Sequence, residues 1–117
     1  MKRVKVGGTY FKIVHRPDPR ALDPNAVAAH TTSWCWGETD YSARTIRLWD
    51  GADKDVRAVT FYHELAHAIV DAYHIKSMRN EDGTHDEDNI DRLAVGLKEA
   101  MQSLGVDILP RIVDKKK

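Results

Sequence analysis

Tyr62-His63-Glu64-Leu65-Ala66-His67-Ala68 decides how the rest of this chain is read. On a helix, residues four apart stand about 40° apart and one turn along, so His63 and His67 can offer their imidazoles to one metal ion. Glu64 flanks that position, where a carboxylate can take a proton from a metal-activated water. From Val59 to Val70 it is the only charged residue. Wound at about 100° per residue, Val56, Val59, His63, Ala66, His67, Val70 and His74 share one arc, while Ala58, Phe61, Tyr62, Leu65, Ile69 and Tyr73 cover most of the remainder. Only Arg57, Thr60, Glu64 and Asp71 form a polar seam, so the helix is expected to be central, with the floor of a cleft along that seam. Two hydrogen-bonded core histidines would share the spacing; the glutamate and the uncharged flanks favour metal.

Working toward the N-terminus, Asp50-Gly51-Ala52-Asp53 makes the turn into this helix, with Asp50, Asp53 or Asp55 available as its N-cap. Thr45-Ile46-Arg47-Leu48-Trp49 alternates as a strand, with Ile46 and Leu48 on one face and Arg47 and Trp49 on the other. Residues 32–41, with Trp34, Cys35 and Trp36, form its antiparallel partner through a connection at Asp40 to Arg44. The three tryptophans are read as core or sheet-packing residues. Residues 45–49 are either a sheet edge available for pairing with an extended peptide or an ordinary strand with one wet face. Asp23-Pro24 offers a cap and first-turn proline for a short helix through His30, itself a surface or capping residue. Residues 4–15 have β-type composition broken at Gly7-Gly8, and Pro17 and Pro19 end that segment.

Toward the C-terminus the motif helix runs to about His74, which lies about 10 Å along the axis from His67 and so is too far to share its metal. Ser77 to Gly83 is a polar loop. A second helix spans about Asp86 to Leu104, with an apolar stripe of Ile90, Leu93, Ala94, Leu97, Met101 and Leu104, and Gly105 ends it. Val106, Ile108, Leu109 and Ile112 are expected to return to the core. Glu87 lies at the edge of the stripe, within reach of a metal held between the helices. His85, Asp86 and Asp91 are the other candidates for third ligand, and Thr84-x-x-Glu87 also fits a capping box that would occupy Glu87 otherwise.

The 117 residues suit one domain, residues 1–112, with a basic tail over 113–117. Eighteen basic and eighteen acidic residues balance, which favours neither nucleic acid nor a membrane surface as partner. One cysteine excludes an intramolecular disulfide. Without a signal-like apolar run at the N-terminus, a cytoplasmic location is expected.

His63-Glu64-Leu65-Ala66-His67, followed after nineteen residues by Glu87-Asp88-Asn89-Ile90-Asp91, resembles the gluzincin pattern HExxH…ExxxD of zinc metallopeptidases. Across residues 40–104 it looks most like the ImmA/IrrE-type enzymes and their small phage and bacterial relatives, apart from Ala66, where that family often has glycine. Val70 and Tyr73 stand where a metzincin carries its glycine and third histidine, so that class is excluded. The resemblance implies an α+β minimal zincin: a small antiparallel sheet of about three strands against the HExxH helix and a second, ligand-bearing helix. It also implies zinc on His63, His67 and Glu87, Asp91 orienting a ligand histidine, Glu64 as general base, and hydrolysis of a protein or peptide substrate. Tyr62, Tyr73 or His85 would steady the oxyanion. The competing expectation is a zinc-stabilised binding protein that docks a partner on its edge strand.

Overall fold

The computed structural model describes residues 2–16, 36–51, 53–106 and 108. The expected helix over 23–30, Trp34, Leu109, Ile112 and the basic tail lie outside them. The chain begins with a hairpin of β1 (Lys2–Val6) and β2 (Thr9–Arg16), in which Val6 opposes Thr9. Its two-residue turn has φ of 61° at Gly7 and 84° at Gly8, the left-handed pair that a hairpin of this length requires. A Cβ on Gly7 would also stand 2.8 Å from the Ala72 side chain, so the turn is pressed against the far end of the motif helix.

Strands β3 (Gly37–Asp40) and β4 (Thr45–Trp49) form an antiparallel pair, and β4 runs parallel to β2, giving the order β1-β2-β4-β3. The fold is α+β, but the expectation of about three antiparallel strands is corrected, among the described residues, to four in a mixed sheet. The reading of residues 45–49 as the edge is likewise overturned. Alternation reveals which face a side chain takes, not which strand lies beside it. Burial decides the order: Ile46 and Leu48 of β4 are 0% exposed, whereas Gly37-Glu38-Thr39-Asp40 has no apolar side chain to bury. The apolar strand therefore takes the centre, and the short charged one lies outside it, as edge strands commonly do. Among the described residues β3 pairs only with β4.

Helix α1 (Lys54–Tyr73) lies across the inner face of the sheet. Asp53 caps it, accepting from Val56 N at 2.9 Å, and His74 ends it in the left-handed conformation with its N–H on Val70 O. Phe61, Tyr62 and Ala68 join Val6, Phe11, Ile13, Ile46 and Leu48 in the main core, with Ile108 packed against it. Helix α2 (Glu87–Ser103) sits beside α1, and Ala66, Val70 and Ile90 make a second, smaller core between them. Ala66 and Ala94 are fully buried, and small side chains there let the helices approach closely. The stripe on α2 is narrower than expected, since Leu93 is 40% and Leu104 74% exposed. Among the described residues no helix is long and apolar enough to cross a membrane.

Candidate metal centre

His63 and His67 are successive-turn residues of α1, and their Nε2 atoms stand 3.1 Å apart. Glu87, the first residue of α2, brings Oε1 to 3.2 Å from His63 Nε2 and 3.3 Å from His67 Nε2. The three atoms form a nearly equilateral triangle, and ligands of a tetrahedral ion with bonds of about 2.0–2.1 Å stand about 3.3 Å apart. Two imidazoles and one carboxylate are also the donor set of sites that keep a fourth position open. Among the described residues, this is the group of histidine, cysteine and acidic side chains that could hold an ion.

The outer nitrogens explain why the inner ones are available. Asp91, one turn after Glu87, places Oδ1 2.7 Å from His63 Nδ1. An ionised carboxylate can only accept, so His63 carries its proton at Nδ1 and turns the Nε2 lone pair inward. Lone pairs of His63 and Glu87 facing each other at 3.2 Å are unfavourable unless a cation or proton lies among them. Burial pushes the His67 pKa down to about 4, with the nearby His63 and His85 adding to the effect, so this ring is neutral at physiological pH.

The other third-ligand candidates are engaged elsewhere. Asp86 is the N-cap of α2, accepting from Asn89 N at 3.3 Å and from Asn89 Nδ2 at 3.0 Å. His85 Nδ1 lies 2.7 Å from His67 Nδ1, on the side of the ring away from Glu87. The capping box is not formed, because Thr84 Oγ1 donates to Asp82 Oδ1 at 2.6 Å and the cap falls two residues later. That frees Glu87 to face the histidines. His74 caps α1 and takes no part.

Glu64 is 7% exposed and faces β3. Thr39 Oγ1 stands 2.8 Å from Glu64 Oε1 and 2.9 Å from the Glu64 carbonyl oxygen, sharing one proton between them. Burial raises the Glu64 pKa to about 7, against the opposing effects of His63 and the Thr39 hydrogen bond. The close approach of β3 needs Gly37: a Cβ there would lie 2.6 Å from Thr60 Cγ2 and 3.3 Å from Glu64 Cγ. Neither Gly37 nor Thr39 stood out in the sequence, since nothing local says which strand will cross the helix at Glu64.

Of the expected oxyanion residues, Tyr62 is buried against Phe61, with ring centroids 5.5 Å apart, and Tyr73 is largely exposed at the end of α1. An unforeseen phenol lies beside His85. Tyr41, after β3, presents its ring edge-on to His85 at 6.3 Å, and partial burial together with the charges of Asp71 and Glu64 pushes its pKa up. No protein-family model, curated protein or solved structure matches this chain.

Proposed function

We propose that this protein is a small zinc-dependent peptidase of the gluzincin type, with the ImmA/IrrE-like pattern HExxH…ExxxD as its family signature and the cytoplasm as its place of action. The observation that carries this reading is Glu64, a buried carboxyl held by Thr39 and adjoining a ligand histidine of a triad with zinc-like spacing, its pKa pushed up by burial. A site that only held zinc for stability would not need a buried carboxyl beside its ligands. His63, His67 and Glu87 would hold the ion, which when bound supplies a Lewis acid and an activated water at neutral pH.

Glu64 would accept the proton of the attacking water and return it to the leaving amine. Thr39 donates to Oε1, which leaves Oε2 to carry that proton and fixes the plane of the carboxyl.

The experiment is to quantify zinc in the purified protein and compare wild type with Glu64→Gln on a denatured protein substrate and a mixed peptide library. The near-isosteric amide should retain zinc and fold while hydrolysis falls about 10²–10⁴-fold, the usual contribution of a general base. Equal cleavage by both forms would remove Glu64 from that role. Stoichiometric zinc with no cleavage by either form would move the reading to a zinc-stabilised docking protein.

A further inference from the structure

We propose that His85 is a positioning residue that accepts the Nδ1 proton of His67 and so holds that ring in its metal-binding tautomer; this rests on the metal reading above. The Nδ1 atoms of the two rings are 2.7 Å apart, the ring planes differ by 19° and the centroids are 4.9 Å apart. The centroid distance exceeds the N···N distance by about the width of one imidazole, so the nearly parallel rings meet edge to edge. That is the geometry of an in-plane hydrogen bond rather than of face-to-face stacking.

One proton lies between the two Nδ1 atoms, and its owner decides whether the site can bind. If it sits on His67, that ring turns an Nε2 lone pair toward His63 and Glu87. If it sits on His85, neutral His67 must carry its proton at Nε2, pointing into the triangle where an ion would lie. Metal binding therefore requires His85 to accept at Nδ1 and keep its own proton at Nε2. His63 receives the equivalent support from a carboxylate, Asp91; His67 receives it from a second imidazole.

The connection between the helices is built to hold His85 in place. Asp86 N bonds Met78 O at 2.8 Å and Asn80 N bonds Thr84 O at 2.7 Å, closing a loop in which Arg79 and His85 form an antiparallel bridge. Asn80 Nδ2 reaches His85 O at 3.3 Å, and Arg79 Nη1 reaches Gly83 O at 2.7 Å. The other Arg79 nitrogen, Nη2, lies 3.7 Å from Asp71 on α1. Tyr41 closes on the His85 ring from the sheet side.

Two variants separate this role from packing. His85→Phe keeps a flat ring but has no acceptor, whereas His85→Asn loses ring volume yet places Oδ1 near the position of Nδ1. An acceptor role ranks Asn above Phe in zinc affinity; a packing role ranks them in reverse. Titrating the full-length metal-free proteins with zinc against a chelator should show His85→Phe weakened about 10–100-fold and His85→Asn restored close to wild type. Nitrogen-15 spectra of zinc-loaded protein should show a slowly exchanging His67 Nδ1 proton in wild type and His85→Asn, with His85 protonated at Nε2. If His85→Phe fails to fold, the wild-type spectrum alone decides. A proton on His85 Nδ1, or zinc affinity in His85→Phe equal to wild type or above His85→Asn, would overturn the proposal while leaving the metal reading intact. A wild-type protein that takes up no zinc would overturn both.

Discussion

On α1, His63, Glu64 and His67 are a single piece of helix whose mutual geometry follows from the helical repeat; opposite them, Glu87, Asp91 and His85 arrive on a second helix and its leading loop. The first half of the centre exists wherever that helix forms. The second exists only while Ala66 and Val70 on α1 pack against Ile90, so it depends on tertiary structure. Metal binding should therefore be coupled to the docking of α2 far more than to the formation of α1.

The strongest way to break this division is at Glu87, the candidate ligand on α2. Glu87→Gln replaces an anionic donor by a weak neutral one, while costing the metal-free protein little, because Glu87 is exposed and caps nothing. Zinc affinity, read by chelator competition, should fall well beyond the ~10–100-fold typical of losing an outer partner. Asp91→Asn, which alters the acceptor on His63 Nδ1, should stay within that range. Unchanged affinity in Glu87→Gln would remove α2 from the ligand set and the gluzincin assignment with it.

What could be read in advance follows the same line. The spacing of His63 and His67, the Gly7-Gly8 turn and the shared face of Ile46 and Leu48 are local regularities, and each is present in the fold. Glu87 and Asp91 could be singled out because helical projection puts them on the face toward α1, and the choice among acidic neighbours rested on family resemblance. The order of strands, Thr39 on Glu64 and the inward-facing Gly37 were not legible, because alternation fixes faces and leaves neighbours open. His85 was visible as a candidate, but its contact with the outer nitrogen of His67 depends on how the loop closes.

The α1 half makes its own prediction for the metal-free protein. Glu64 has an ordinary value of 4.5 raised to about 7 by burial, so its contribution to stability is full below pH 4.5 and is lost as pH rises through 7. His67 has an ordinary value of 6.5 lowered to about 4, again mainly by burial, so its contribution is full above pH 6.5 and is lost as pH falls through 4. Between pH 4.5 and 6.5 the two slopes oppose each other. Glu64→Gln removes the first and leaves the second, so denaturation of the metal-free variant should show stability rising by on the order of 2–3 kcal/mol from pH 4 to 6.5. Wild type should be flatter over that interval; identical profiles would contradict the burial of Glu64 as the cause of its raised pKa.

The smallest effect gives the sharpest comparison, because it applies one chemical change to both halves. Asp53 caps α1 through Val56 N, and Asp86 caps α2 through Asn89 N. Replacing either with alanine removes a side-chain acceptor at a helix start and should cost about 1 kcal/mol in the metal-free protein. Asp53 lies ten residues before His63, and loss of its cap frays a turn that holds no ligand, so zinc affinity should not change. Asp86 immediately precedes Glu87, and fraying there would loosen the candidate ligand on α2. The two variants should thus match in metal-free stability and differ in zinc affinity, with only Asp86→Ala weakened. Equal retention of zinc by both would mean that Glu87 is held by the packing of Ile90 and Ala94 alone, and the first turn of α2 would then have no separate part in building the centre.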